Sequence, residues 1–153
     1  MTPLRRVLLA RPHAFIVNEM RPFLVTAGFA PVRIDGMEQL DQELRLPAQG
    51  AIISTAVTSP LGADAATVFR KIRESNASLP VVFAGMADLA TMEAVVMRTV
   101  KELHPDARAV GPAGFRLVRP LDRASTFLIL RKEDLQPGAM QEAAISAIRA
   151  QFS

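Results

Sequence analysis

Apolar residues in this chain fall either into short unbroken runs or into longer stretches where they recur every third or fourth position. The runs Arg6-Val-Leu-Leu-Ala10, Ala51-Ile52-Ile53 and Pro80-Val-Val-Phe-Ala84 lack polar alternation. Runs of that kind read as strands buried on both faces. Between them the period is helical. From His13 to Ala27, Phe15, Ile16, Met20, Phe23 and Leu24 share one face, and Pro22 is expected to kink or divide that helix. Gly28 is a C-terminal stop. Ala30–Asp35, with a proline and polar alternation, reads as an edge strand. Met37–Leu46 reads as a short amphipathic helix. Asp64 is placed to cap a helix through Glu74, and Asp88 one through Leu103. Strand and helix thus alternate four times, which predicts a parallel sheet with helices on both faces.

The pattern breaks after residue 104. Residues 104–125 hold three prolines and two glycines around one candidate strand, Phe115-Arg-Leu-Val118, and a second candidate, Thr126–Arg131, follows closely. Two such close strands need a crossover to be parallel neighbours. Thr126–Arg131 is read as the fifth parallel strand and 104–125 as an insertion that adds an edge strand; the reverse assignment stays open. Pro137 suits the first turn of a last helix ending at Phe152. The whole chain, 1–153, reads as one domain.

Composition narrows the chemistry. No cysteine is present, which excludes disulfides and thiolates, and no run approaches a membrane span. The four apolar residues before Arg11 are too few for a signal-peptide core, so the expectation is a soluble cytoplasmic protein. The isoelectric point is high because tyrosine and cysteine are absent and fifteen of the eighteen basic residues are arginine; the net charge is only +3. Residues 1–33 hold five arginines against Glu19, and 105–132 hold six basic residues against Asp106 and Asp122. Two basic segments can form one patch for an anion or an acidic partner, although scattered solvated arginines are the commoner case.

Sites in open parallel sheets lie beyond the carboxyl ends of the strands. The central run ends in Ser54, Thr55, Ala56, Val57, Thr58 and Ser59, with no carboxylate, histidine or cysteine among them. A hydroxyl nucleophile needs an adjacent base. His13 is the only histidine near that crevice by topology, and hydroxyls that simply satisfy backbone at a strand end are favoured. His104 is expected to sit as a cation at the C-terminus of the long helix. No Gly-x-Gly-x-x-Gly or Walker lysine pattern occurs, so no cofactor is expected and classical nucleotide binding is disfavoured. Nucleic acid is disfavoured as well, for want of a reading motif and of Tyr or Trp.

Two local patterns point to a family. Val7-Leu-Leu-Ala-Arg-Pro-His13 runs into a helix ending Leu24-Val-Thr-Ala-Gly-Phe29, and Phe69-Arg-Lys-Ile-Arg-Glu74 precedes Leu79-Pro-Val-Val. With the strand–helix order, these resemble the receiver domain of bacterial response regulators, the CheY-like member of the flavodoxin-like folds, over roughly 5–100 and 126–152. The resemblance implies a doubly wound, five-stranded α/β sheet. It also sets the family's chemistry against this sequence. The receiver's acidic pair corresponds to Arg11-Pro12, its phosphoacceptor falls near Thr55 or Ala56, and its switch hydroxyl corresponds to Gly85. Its conserved lysine corresponds to Lys132, Arg131 or Arg119. The implied reading is a degenerate receiver that neither is phosphorylated nor binds magnesium in the usual way.

Function is therefore expected in protein–protein contact, with another protein or a second copy of this chain, and not in catalysis. The resemblance puts the partner face at the fourth helix, fifth strand and fifth helix, where Phe115, Leu117, Arg119, Phe127 and Arg131 fall. The alternative is a sensor for an anionic small molecule, with Arg11, Ser54, Thr55, Thr58, Ser59, Gly85 and Lys132 converging at the strand ends. Against that convergence, the simpler role for Arg11 is to neutralise strand-end carbonyls.

Overall fold

The computed structural model describes residues 5–14, 16–57, 59 and 61–153. Phe15 and Thr58, two of the positions considered above, lie outside the described residues.

The elements follow the chain as β1 (Arg6–Arg11), a π-helical turn (Ile16–Met20), α1 (Arg21–Ala27), β2 (Ala30–Arg33), α2 (Met37–Leu44), β3 (Gly50–Ser54), α3 (Ala65–Ser75), β4 (Val81–Gly85) and α4 (Leu89–Val100). Then come β5 (Arg108–Val110), α5 (Pro112–Phe115), β6 (Thr126–Arg131), α6 (Lys132–Leu135) and α7 (Ala139–Gln151). The strands form one sheet in the order β2-β1-β3-β4-β6-β5, every pairing parallel. The architecture is doubly wound and flavodoxin-like.

The unbroken apolar runs are explained by burial on both sides. Val7, Leu9, Ile52, Val82, Ala84, Leu128 and Leu130 pack against α1 and α7, with Phe23, Leu24, Ala144 and Ile148. The alternate residues Leu8, Ala51, Ile53, Val81, Phe83, Phe127 and Ile129 pack under α2, α3 and α4, with Leu40, Phe69, Ile72 and Val96. The expected punctuation is present. Asp64 accepts a hydrogen bond from the Thr67 N–H at 2.7 Å and Asp88 one from Thr91 at 2.8 Å, each satisfying an otherwise orphaned donor. Gly28 closes α1 in the left-handed region at φ 98°, which only glycine adopts freely. Pro22 does divide the first helix: the chain runs as a π-helical turn up to Met20, and α1 starts at Arg21 with proline in its first turn.

Three expectations need correction. The sheet has six strands, not five, because the sixth strand is Arg108–Val110, parallel to β6 at the edge. Phe115–Val118 is not a strand: Pro112–Phe115 forms the short helix α5, with proline in its first turn, and this is the crossover from β5 to β6. Pro137 does not open the last helix. It lies between α6 and α7, and Gly138 at φ 139° redirects the chain into α7.

Candidate functional site

The parallel register brings the carboxyl ends of β1, β3 and β4 side by side. Ser54 pairs with Ala84, and a bulge at Ala10 makes Arg11 the residue opposite Ile53. A bulge re-aims the residue that follows it. Here that residue is Arg11, whose long side chain runs across the end of β3 into the loop that leads to α3.

Arg11 is 1% exposed. Its Nε donates to the Ala63 carbonyl at 2.8 Å and its Nη1 to the carbonyls of Ser54 at 2.7 Å and Ala56 at 2.6 Å. Its Nη2 donates to the Val57 carbonyl at 3.2 Å. Burial lowers the guanidinium pKa and nearby Asp64 opposes that shift, but no carboxylate stands at ion-pair distance among the described residues. A buried charge without a counter-ion needs its donors satisfied, and backbone dipoles do that here. The guanidinium thus holds the two ends of the 55–63 loop together. Its donors are turned to carbonyls and away from solvent.

The hydroxyls play a similar part. Ser54 Oγ, in a side chain 1% exposed, accepts from the Ala56 N–H at 3.1 Å. Ser59 Oγ donates to the Pro12 carbonyl at 2.6 Å and accepts from the Leu61 N–H at 3.2 Å. Thr55 Oγ1 sits over the end of β4, 3.5 Å from the Ala84 carbonyl. It occupies the space that a side chain at residue 85 would need: a Cβ built on Gly85 would lie 2.2 Å from Thr55 Oγ1 and 3.1 Å from Met92 Cε. Residues 55 and 85 are complementary in volume. Thr58 lies outside the described residues.

Above this floor is an open cleft of about 350 Å³ between α3 and α4, lined by Arg11, Thr55, Val57, Asp64, Arg98 and Thr99 among others. Asp64 is committed to the α3 cap, and Thr99 Oγ1 donates to the Val95 carbonyl at 2.8 Å. Lys132 does not line the cleft; it opens α6, half-buried, and makes no ion pair among the described residues. His13 lines a different depression beside Val17, Asn18 and Arg33. The structure therefore gathers Arg11, Ser54, Thr55, Ser59 and Gly85 and leaves Lys132 outside the cleft.

On the proposed partner face the burial differs from expectation. Phe115 is 3% exposed and Phe127 fully buried, so both are core residues and neither is available to a partner. They are buried because α5 and β5 cover the edge of β6. Leu117, at 83% exposure, and Arg119 remain at the surface. Arg131 is partly buried and pairs with Glu133 at 3.6 Å and Asp134 at 3.8 Å.

A second buried arginine escaped the sequence reading. Arg73, at the end of α3, donates from Nη1 to the Leu79 carbonyl and from Nη2 to the Ala124 carbonyl, both at 2.7 Å. Its Nε donates to Nε2 of His104 at 2.9 Å. Burial pushes the Arg73 pKa down to about 10, and the side chain lies over the Phe69 ring at 4.9 Å. His104 is an acceptor here and so neutral, not the helix-terminal cation expected; burial and then Arg73 lower its pKa. Only the spacing of α3 and α4 brings the two together.

No family model matches the chain, and no curated protein matches it. Two solved structures are similar to it along nearly its whole length. A response regulator receiver protein from Sinorhizobium medicae WSM419 aligns with a TM-score of 0.57 at 16% identity, over 97% of this chain and 94% of that one. An orphan response regulator of H. pylori aligns with a TM-score of 0.53 at 14% identity, over 99% of this chain and 100% of that one. The fold is a receiver fold. Within it, the Arg11 cage and the Thr55–Gly85 contact lie where open α/β sheets carry their sites. The β5–α5 segment adds a strand at the far edge of the sheet.

Proposed function

We propose that this chain is a regulatory domain that acts by protein–protein contact and independently of phosphorylation. The observation that supports it is the Arg11 cage. In a receiver the first and third strand ends hold carboxylates that bind a divalent cation and accept a phosphoryl group; both tasks need anionic oxygen ligands. Here a buried guanidinium stands at the first position and Thr55, with its hydroxyl turned over β4, at the third. A dication placed in this pocket meets a fixed positive charge within a few ångströms, which disfavours it.

The cage also supplies a mechanism. The loop leaving β3 is fastened by four hydrogen bonds from one side chain and presents Val57 at 95% exposure. A phosphorylated receiver gains order in this region only conditionally; here the chain's own arginine supplies it constitutively. The partner surface is proposed at the elaborated edge, around Leu117 and Arg119, since Phe115 and Phe127 are core. Catalysis is not proposed, because none of the Ser54, Thr55 and Ser59 hydroxyls has a base beside it among the described residues.

The test is an NMR titration with beryllofluoride and magnesium. Unchanged amide resonances for residues 54–63 are expected; clear saturable shifts there would overturn the reading. The sensor alternative is separated by thermal-shift screening against nucleotides and phosphorylated metabolites, since a ligand that binds only the native state raises its melting temperature. With Arg11 spent on carbonyls, a hit would have to depend on the exposed Arg98.

A further inference from the structure

The segment after α5 forms a surface that the fold does not use. Arg116, Leu117 and Arg119 are exposed, and Arg116 has no hydrogen-bond or ion-pair partner among the described residues. Arg119 donates only to its neighbour, the Val118 carbonyl, at 2.6 Å. The two arginines border a pocket of about 400 Å³ whose floor is Phe115, Leu121, Ala147 and Ala150, between α5 and α7. The acids nearby do not neutralise it. Asp122 accepts from the Ala124 N–H at 3.0 Å within its own turn, and Glu142 lies a full turn before Ser146 at the far end of that α7 face. Arg123 is engaged with the Ser153 carbonyl at 2.6 Å. The result is an apolar hollow and an exposed leucine framed by two uncompensated guanidinium groups.

We infer that this hollow docks an acidic, leucine-bearing segment of a partner protein, its carboxylates paired with Arg116 and Arg119 and its apolar side chain seated on Leu121 and Ala150. The inference rests on the proposed protein-contact role and names the partner's chemistry. Charge complementarity selects the occupant. A second copy docking by the same patch would form an isologous contact and set arginine against arginine. Single-stranded nucleic acid binds by stacking on aromatic rings; every phenylalanine among the described residues is buried, and the chain has no Tyr or Trp. Arginine's planar fork suits bidentate carboxylates, and the small residues on α7 admit close approach of a peptide backbone.

The experiment uses the intact chain and a short fluorescein-labelled peptide with glutamates flanking two leucines at helical i, i+4 spacing. Fluorescence anisotropy should show saturable binding that weakens as salt rises. Amide shifts should map to residues 115–121 and 146–150. Arg116→Glu with Arg119→Glu should weaken binding by about tenfold or more, and Leu117→Ser should weaken it severalfold while leaving the melting temperature unchanged, as both sites are exposed. Replacing the peptide's leucines by serine should abolish binding. The inference is overturned by any of four results: no shifts at millimolar peptide, equal binding of the serine peptide, insensitivity to the double charge reversal, or tighter binding of a single-stranded oligonucleotide at the same residues. None of these bears on the 54–63 resonances followed with beryllofluoride, so the two readings fail separately.

Discussion

Two buried arginines hold opposite ends of this sheet, and they differ in what surrounds them. Arg11 closes the carboxyl end, Arg73 the other; Arg11 spends its donors on backbone carbonyls, Arg73 on two carbonyls and His104, with no carboxylate in contact among the described residues. Arg11, although 1% exposed, borders an open cleft and has no ring contact among the described residues. Arg73 is packed among Phe69, Phe127 and His104, with ring centroids 5.5 to 5.8 Å apart. The same hydrogen bonds therefore do different work. At Arg73 they hold a guanidinium that is also packed on aromatic rings, so losing it opens the core; at Arg11 they hold a loop and fix its conformation. The end of the sheet where a receiver carries its chemistry is here the end where a side chain sets the shape of a loop.

The largest expected effect is at the ring-packed end. Arg73→Ala leaves the Leu79 and Ala124 carbonyls without donors and opens space beside two phenylalanines; a loss of about 4 kcal/mol is expected in urea unfolding. Next is the steric pair. Gly85→Ala puts a methyl group against Thr55 Oγ1 and should cost about 2 kcal/mol. Thr55→Ala should restore at least half of that in the double mutant, which additive behaviour would contradict. Arg11→Ala should cost about 1.5 kcal/mol globally, as water replaces the lost donors, yet amides 55–63 should exchange with solvent far faster than in Arg73→Ala. If Arg11→Ala proves the more destabilising of the two, the contrast between a loop-holding and a ring-packed arginine is wrong.

How much of this could be read from sequence follows from how far apart the interacting residues lie. The central strands, the caps at Asp64 and Asp88 and the division at Pro22 depend on neighbours within a few positions, and the pattern contained them. That Arg11 serves strand-end carbonyls follows from its place at the end of the first strand, but its partners lie 43 to 52 positions away and are not identified by the pattern; Arg73 meets His104 across 31 positions and leaves no local signature. The edge was misread for a different reason. Phe115-Arg-Leu-Val118 alternates like a strand over four residues, too few to distinguish the two periods, while Arg108–Val110 has only three residues and no pattern at all. The Gly111-Pro112 pair was the available clue, since proline favours the first turn of a helix. That one shift of element is what moved Phe115 and Phe127 from the surface into the core.

The smallest expected effect is a pH dependence confined to one arginine. His104 Nε2 accepts from Arg73 Nε at 2.9 Å, and protonation there would remove the acceptor and set two cations together. Arg73 on α3 and Asp122 in the loop before β6 are the charged groups that face the ring, the first disfavouring the imidazolium and the second favouring it. Burial and Arg73 prevail, so the folded protein holds His104 below its ordinary value of 6.5, and the unfolded chain takes up the proton more readily. The sign follows by linkage: this contribution to stability is fully present above about 6.5 and is lost as pH falls through the lower, folded value. The melting temperature should therefore fall on acidification through that range. His104→Gln, whose amide oxygen can accept from Arg73 but does not titrate, should flatten the profile, and Asp122→Asn should shift the His104 titration to lower pH by NMR. Arg11→Ala should leave the His104 titration unchanged by NMR, because His104 lies at the other end of the sheet; an altered His104 titration in that variant would mean that the two ends of the sheet are coupled.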